Sequence, residues 1–196
     1  MATYLPPIER PKGLLWRLVY FFVRRQMGRV ATPVAVFSAR MPLGFSSFIS
    51  RVSRLDKKLT LPPATAFVIR EQVASTNMCL FCMDIGRWYA IKASPDNAAR
   101  FDALGQYRTS PLFTEAERAA LDYATELTAE HRVTPETFNR LARHYSEREI
   151  CEIVWLVSSE HLYNISNIGL NIESDGMCEV PQMADADTRA RPTRVS

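Results

Sequence analysis

Cys79 and Cys82 are the residues of this sequence whose type and spacing spell out a chemistry. They lie in the stretch Asn77-Met78-Cys79-Leu80-Phe81-Cys82-Met83-Asp84. A separation of three puts both thiols on one side of a helical turn. At a helix start, the free amide N–H groups and the dipole stabilise a thiolate. The neighbouring thiol can then resolve the oxidised sulfur into a disulfide. Asn77 reads as the N-cap, with Cys79 in the first turn and Cys82 one turn further in. Dipole reasoning alone makes Cys79 the more acidic thiol.

Two plainer readings compete. A Cys-x-x-Cys pair is half a structural zinc site, but such sites take four ligands. Cys151 and Cys178 stand alone, and His131, His144 and His161 are scattered, so no metal is expected. The pair could also be two buried cysteines acting as small apolar residues, given Leu80, Phe81, Met83 and Ile85 around them. No flavin, haem or other cofactor motif is present, so no cofactor is expected.

A dithiol that reduces peroxides needs a base for the first thiolate and an acid for the departing oxygen. The candidates are Glu71, two turns before Cys79, Asp84, two residues after Cys82, and His161. His161 falls on an apolar stripe with Val154, Val157, Ile165 and Ile168, where a histidine is commonly a satisfied core residue. Glu160 beside it could be a surface charge, and Glu71 could be no more than a partner for Arg70.

The elements that must position these groups read as helices. Residues 12–27 form an amphipathic helix ended by Gly28, expected to pack on the body or on a neighbouring subunit. A membrane-surface helix is the less favoured alternative. Pro33 opens a short helix ending near Arg40, and Phe45, Phe48, Ile49, Val52 and Leu55 recur at helical spacing. Residues 63–76 form one helix, with proline in its first turn, and the dithiol helix runs from about 78 to 93. A shorter one covers about 96–104. Thr114 to Glu117 and Ser146 to Glu149 are capping boxes, and Thr134-Pro135 starts a further helix. The Ser146 helix runs to about Gly169 and is the longest and most apolar. No stretch alternates with period two. The fold class is therefore all-α, a single-domain helical bundle of about eight helices. A thioredoxin fold is rejected because the motif is flanked by helices, not by a βαβ pattern. An N-terminal arm and basic helix occupy 1–24, the helical domain 25–175, and a mobile C-terminal tail 176–196.

The 196 residues suffice for one well-buried domain, and 47% hydrophobic content with 23% charge is ordinary for a globular protein. The net charge of +3 is unevenly spread: residues 1–60 carry eleven Lys and Arg against two Asp and Glu. No nucleic-acid motif accompanies that charge, so internal pairing or subunit contact is the preferred account. Four cysteines do not make a disulfide framework. The apolar run 18–23 is far short of the roughly 20 residues that span a bilayer, and no cleavage site follows it. A cytoplasmic location is expected, and the Asn164-Ile165-Ser166 sequon reads as coincidence there.

The segment Val73 to Asp84, with the helix before it, resembles the core of the carboxymuconolactone decarboxylase / alkylhydroperoxidase D-like superfamily. The Tyr107 to Phe113 segment, the run Ala116 to Leu121 and Glu160-His161-Leu162-Tyr163-Asn164 resemble a branch of it, so the likeness covers roughly residues 25–175. The resemblance implies a homo-oligomer (a dimer, trimer or hexamer) and two activity classes: dithiol peroxidase or disulfide-reductase chemistry, and decarboxylation of a lactone acid in members without the dithiol. Cys79 and Cys82 point to the first, with a small-molecule hydroperoxide as substrate and an external thiol as reductant. Family logic makes Cys82 the attacking thiolate and Cys79 the resolving thiol, more open to the reductant. The family pattern also has a glutamate twelve residues before the first cysteine and a histidine four after the second. Phe67 and Gly86 occupy those positions. Glu71, one turn along from Phe67 on the same face, and His161 are the expected replacements. A redox-sensing or non-catalytic scaffold and a decarboxylase-like lyase are the alternatives.

Overall fold

The structure, a computed structural model of the chain, describes residues 2–178. Those residues form an all-α bundle. Helices α1 (Leu14–Met27), α2 (Thr32–Val36), α3 (Leu43–Asp56), α4 (Pro63–Thr76), α5 (Leu80–Ala93), α6 (Asn97–Asp102), α7 (Glu115–Glu130), α8 (Pro135–Ala142) and α9 (Glu147–Ile168) follow one another along the chain. Single turns of 3-10 helix lie at Ser38–Arg40 and Leu104–Gln106. The short helix expected from Pro33 to Arg40 is split at Phe37 into α2 and a 3-10 turn, and the described residues hold nine α-helices, close to the expected number of about eight.

Helix α4 is the axis of the molecule and packs against α5, α7 and α9. Its sequence is apolar on several sides, as a helix surrounded by others requires. Ile69 and Val73 face a core built with Ala120, Tyr123, Ala124, Leu141, Ile153, Leu156 and Val157. Val68 faces a second cluster with Ala90, Phe101, Phe113 and Leu121. Ala74 faces a third with Cys79, Phe81, Cys82, Met83 and Ile172. The dithiol is therefore part of the packed interior.

The two long helices around α4 start where their sequences dictate. Thr114 Oγ1 accepts from the Glu117 amide at 3.2 Å, and Glu117 Oε2 accepts from the Thr114 amide at 3.1 Å. Ser146 and Glu149 make the same reciprocal pair. Each box satisfies amides that the first helical turn leaves open. Helix α1 ends at Gly28, whose φ of 78° only glycine adopts without strain.

The segment after α9 is tied to α5 as far as the last described residues. Residues 176–178 of the expected tail approach α5, and the rest of that tail, 179–196, lies outside the described residues.

Candidate active site

The site begins at the junction of α4 and α5. Helix α4 closes in a Schellman turn: the Cys79 amide donates to the Ala74 carbonyl at 2.9 Å and the Met78 amide to the Ser75 carbonyl at 3.0 Å. The residue in the left-handed conformation is Met78, at φ 55°, where glycine is usual. Asn77 is thus the C-cap of α4, not the N-cap of the dithiol helix. Cys79 itself takes the N-cap position of α5, and its carbonyl accepts the Met83 amide at 3.0 Å. Cys82, third residue of α5, lies in its first turn, nearer the helix start than the sequence reading placed it. Backbone hydrogen bonds on both sides of Cys79 lock the motif between two buried helices.

The two cysteines are joined as a disulfide, with Cα atoms 5.2 Å apart. Both are buried, Cys79 at 1% exposure and Cys82 at 5%. They differ in what they face. Cys82 lines a cavity of about 730 Å³ between α1, α2, α3, α4, α5 and α9, and Cys79 does not. The expectation that Cys79 is the more open thiol is not met.

The cavity wall is mainly apolar and aromatic, with Phe37, Phe45, Phe67, Phe81 and Ile85 among its lining. Its polar lining includes Asn167, Glu71, Glu160, Arg70, Asp56, Lys92, Tyr89 and Tyr163. Burial holds both tyrosine hydroxyls above their ordinary range, so they stay protonated donors.

Asn167 touches the sulfurs directly. Its Nδ2 donates to Cys82 Sγ at 3.3 Å and approaches Cys79 Sγ at 4.0 Å. Sequence reasoning missed this residue. The usable signal was the polar line Glu160, Asn164, Asn167 at helical spacing on α9. That line faces inward, while Ile165 and Ile168 of the expected apolar stripe are 63% and 43% exposed. The line is satisfied partly within itself and partly by partners distant in sequence. Asn164 Nδ2 donates to Glu160 Oε1 at 2.8 Å, and Asn77 Nδ2 donates to Asn164 Oδ1 at 2.9 Å. Arg70 donates to Glu160 Oε2 at 3.0 Å and to Asp56 Oδ2 at 2.8 Å. Burial outweighs Arg70 and keeps the Glu160 carboxyl above the usual carboxylate range.

Glu71 is the unusual acid. It is buried on α4 and its Oε2 has no hydrogen-bond partner among the described residues. Burial, reinforced by Glu160 and opposed by Arg87, pushes its pKa up to about 8. At neutral pH it is mostly a neutral carboxylic acid. Its Oε2 lies 3.1 Å from where a Cβ on Gly86 would sit. Gly86 is one turn beyond Cys82 on the same face of α5. One carboxyl group from α4 thus fills the space that a side chain at position 86 would occupy. Phe67, one turn earlier on α4, contributes apolar wall.

The other two expected residues lie elsewhere. Asp84 is fully buried and faces the C-terminal segment, where it accepts from Ser174 Oγ at 2.8 Å, the Met177 amide at 2.9 Å and the Cys178 amide at 2.6 Å. His161 faces Thr128 Oγ1 at 3.3 Å and Asn77 Nδ2 at 3.4 Å, beside the His131 ring. Burial, then His131, lowers its pKa. Neither lines the cavity. The structure therefore brings Cys82 and Glu71 to one cavity and leaves Asp84 and His161 outside it. Among the described residues, no group of three or more His, Cys, Asp or Glu could hold a metal ion, and no helix is long and apolar enough to cross a membrane.

No protein-family model matches the chain. The chain is similar to YnjA of Escherichia coli, at 28% identity covering 91% of this chain and 97% of that protein. Among solved structures it is similar to the debrominase Bmp8, crystallised as a cysteine-to-alanine variant with 2,3,4-tribromopyrrole, at a TM-score of 0.76 and 19% identity over 90% of this chain and 94% of that one. It is also similar to an alkylhydroperoxidase AhpD core protein of Ralstonia eutropha, a peroxidase-related protein, at a TM-score of 0.72 and 19% identity over 89% of this chain and 93% of that one. The fold is that of the alkylhydroperoxidase D-like proteins, as the resemblance implied.

Proposed function

We propose that this chain, an alkylhydroperoxidase D-like protein by fold and dithiol, reduces an organic hydroperoxide at Cys82 and is recharged by an external dithiol. The observation that carries the reading is the shared cavity: the Cys82 sulfur and the protonated Glu71 carboxyl both line it.

The reaction balances with this chain's own groups. In the reduced protein, the Cys82 thiol releases its proton to solvent, from which Glu71 is later reprotonated, and the thiolate attacks the terminal oxygen of ROOH. An S–O bond forms, the O–O bond breaks, and the departing alkoxide takes the Glu71 proton and leaves as ROH. The Asn167 amide steadies the thiolate before attack. Cys79 then attacks the Cys82 sulfenic acid. The S–S bond forms, the S–O bond breaks, and water leaves with the Cys79 proton. Two thiols and ROOH become one disulfide, ROH and water. The external dithiol returns two electrons and two protons. The disulfide joining Cys79 and Cys82 is the product state of this cycle.

A second reading is favoured by the aromatic wall. Phe37, Phe45, Phe67 and Phe81 surround a space suited to a flat ring. The same dithiol could reduce a carbon–bromine bond. Glu71 would protonate the ring carbon, the Cys82 thiolate would take bromine from it, and Cys79 would displace bromide to close the disulfide. Two thiols and ArBr become a disulfide, ArH, bromide and a proton.

The deciding experiment is stopped-flow oxidation of the reduced protein by hydrogen peroxide, by cumene hydroperoxide and by a bromopyrrole, with thiols counted afterwards. Loss of two thiols to the organic hydroperoxide, faster than with hydrogen peroxide and abolished by Cys82→Ser, is the expected result. Rates no faster than free cysteine with both peroxides would overturn it. Bromide release with such peroxide rates would install the second reading.

A further inference from the structure

Residues 10–55 contain nine Lys and Arg and no Asp or Glu. Helix α1 displays much of that charge beside an uncovered apolar surface. Its inner side is fixed: Trp16 and Tyr20 are buried with Ala35, and the Tyr20 hydroxyl donates to the Ile8 carbonyl at 2.6 Å. Its outer side carries Leu14, Leu15, Leu18, Phe21 and Phe22 at 73%, 58%, 44%, 59% and 63% exposure. With 3.6 residues per turn, these five fall within an arc of about 120°. Arg17 and Arg24 line one edge of the arc, and Arg25, in the last turn, falls within it at the C-terminal end of the helix. An open groove between the 9–13 bend and α1 is lined by Arg10, Lys12, Arg17 and Arg24, and by Glu9.

Two occupants could cover such a face, and charge separates them. A symmetric contact between two copies places each patch against itself. That would crowd the Arg10, Lys12, Arg17, Arg24 and Arg25 charges of both copies into one seam, with Glu9 the one carboxylate among the groove residues to offset them. An anionic bilayer supplies the missing charge through its phosphates and takes the apolar arc into its acyl boundary. At 14 residues α1 is too short to cross a bilayer and suits an in-plane position.

We propose that α1 is a docking helix for an anionic phospholipid surface, with Leu14, Leu15, Leu18, Phe21 and Phe22 embedded and the Arg10, Lys12, Arg17 and Arg24 groove holding headgroup phosphates. Gln26 and Met27, at the end of the same helix, line the Cys82 cavity. The docking itself does not depend on the reaction assigned to the dithiol.

The test is flotation of the full chain with phosphatidylcholine vesicles, with and without phosphatidylglycerol. The expected result is recovery with the phosphatidylglycerol vesicles alone, weakened by added salt. The pairs Phe21→Ser with Phe22→Ser, and Arg17→Gln with Arg24→Gln, should each weaken partition about tenfold or more. All four side chains are exposed, so unchanged melting curves will show that the fold is intact. Equal recovery with both vesicle types, or recovery with neither, overturns the proposal. So does binding of inorganic phosphate without vesicle binding. A concentration-dependent dimer lost in the Phe21 and Phe22 variant, again without vesicle binding, would show that the arc joins two copies and would overturn it as well.

Discussion

Glu71 Oε2 rests 3.1 Å from the point where a β-carbon on Gly86 would stand. The glycine is what lets the α4 carboxyl lie flat on α5, one turn from Cys82. Gly86→Ala crowds that carboxyl. The added methyl gains about 1 kcal/mol of helix propensity and costs about as much in overpacking. Stability should change little while peroxide-driven oxidation of Cys82 slows. Thermal melts paired with stopped-flow rates check both halves. An unchanged rate would mean that the carboxyl position is immaterial.

Glu71 sets the pH dependence. Its proton is bound in the folded state up to about pH 8. As the proton donor it should make the single-turnover rate fall as pH rises through 8, and Glu71→Gln should remove that limb and slow turnover by roughly a hundredfold or more. Stability follows the same sign. The folded state binds a proton that the unfolded state releases above the ordinary carboxyl range, so stability is full below that range. It declines by up to about 1.4 kcal/mol per pH unit as pH climbs toward 8. Glu71→Gln should flatten that slope in denaturation measured across the window. His161→Ala should leave the rate within about twofold, because its ring faces Thr128 and Asn77 and not the cavity.

Asn167 is expected to matter once the disulfide is opened. A hydrogen bond to a charged group is worth about 1.5–3 kcal/mol. Asn167→Leu should therefore slow Cys82 alkylation and oxidation at neutral pH by about tenfold or more. Raising the pH should recover much of the loss, because alkali restores the thiolate. A loss that persists in alkali would assign Asn167 to packing.

Asp84 ties the C-terminal segment to α5 through three hydrogen bonds. Asp84→Ala leaves Ser174 Oγ and two amides without their acceptor. It should cost about 2–4 kcal/mol of stability and expose the segment after Ile172 to proteolysis. Cys82 oxidation in the still-folded variant should persist. A stable variant with a dead dithiol would return Asp84 to the chemistry.

The parts of this structure that are closed locally were legible in the sequence. Thr114 with Glu117 and Ser146 with Glu149 are satisfied within a single turn, so residue types and spacing determine them. Cys79 and Cys82 were legible for the same reason. Asn77 was not, because an asparagine between two helices caps either, and only the Ala74 to Cys79 hydrogen bond shows that it closes α4. The inner face of α9 was hidden for a different reason. Apolar periodicity favoured Ile165 and Ile168. Glu160, Asn164 and Asn167 are buried instead because Arg70, Asn77 and the dithiol, remote in sequence, satisfy them. Gly86 looked like a loss until the carboxyl from α4 was seen beside it.

Only one of the two sulfurs has a doorway. Cys79 is sealed at 1% exposure, and Cys82 opens to the cavity. Oxidant and reducing thiol must therefore use the same entrance and take turns in it. Steady-state plots should run parallel, and an excess of either partner should block the other. Bulky thiols that do not fit the aromatic cavity would leave the stored oxidising equivalent untouched, so the room in that cavity sets which electron donors this protein accepts.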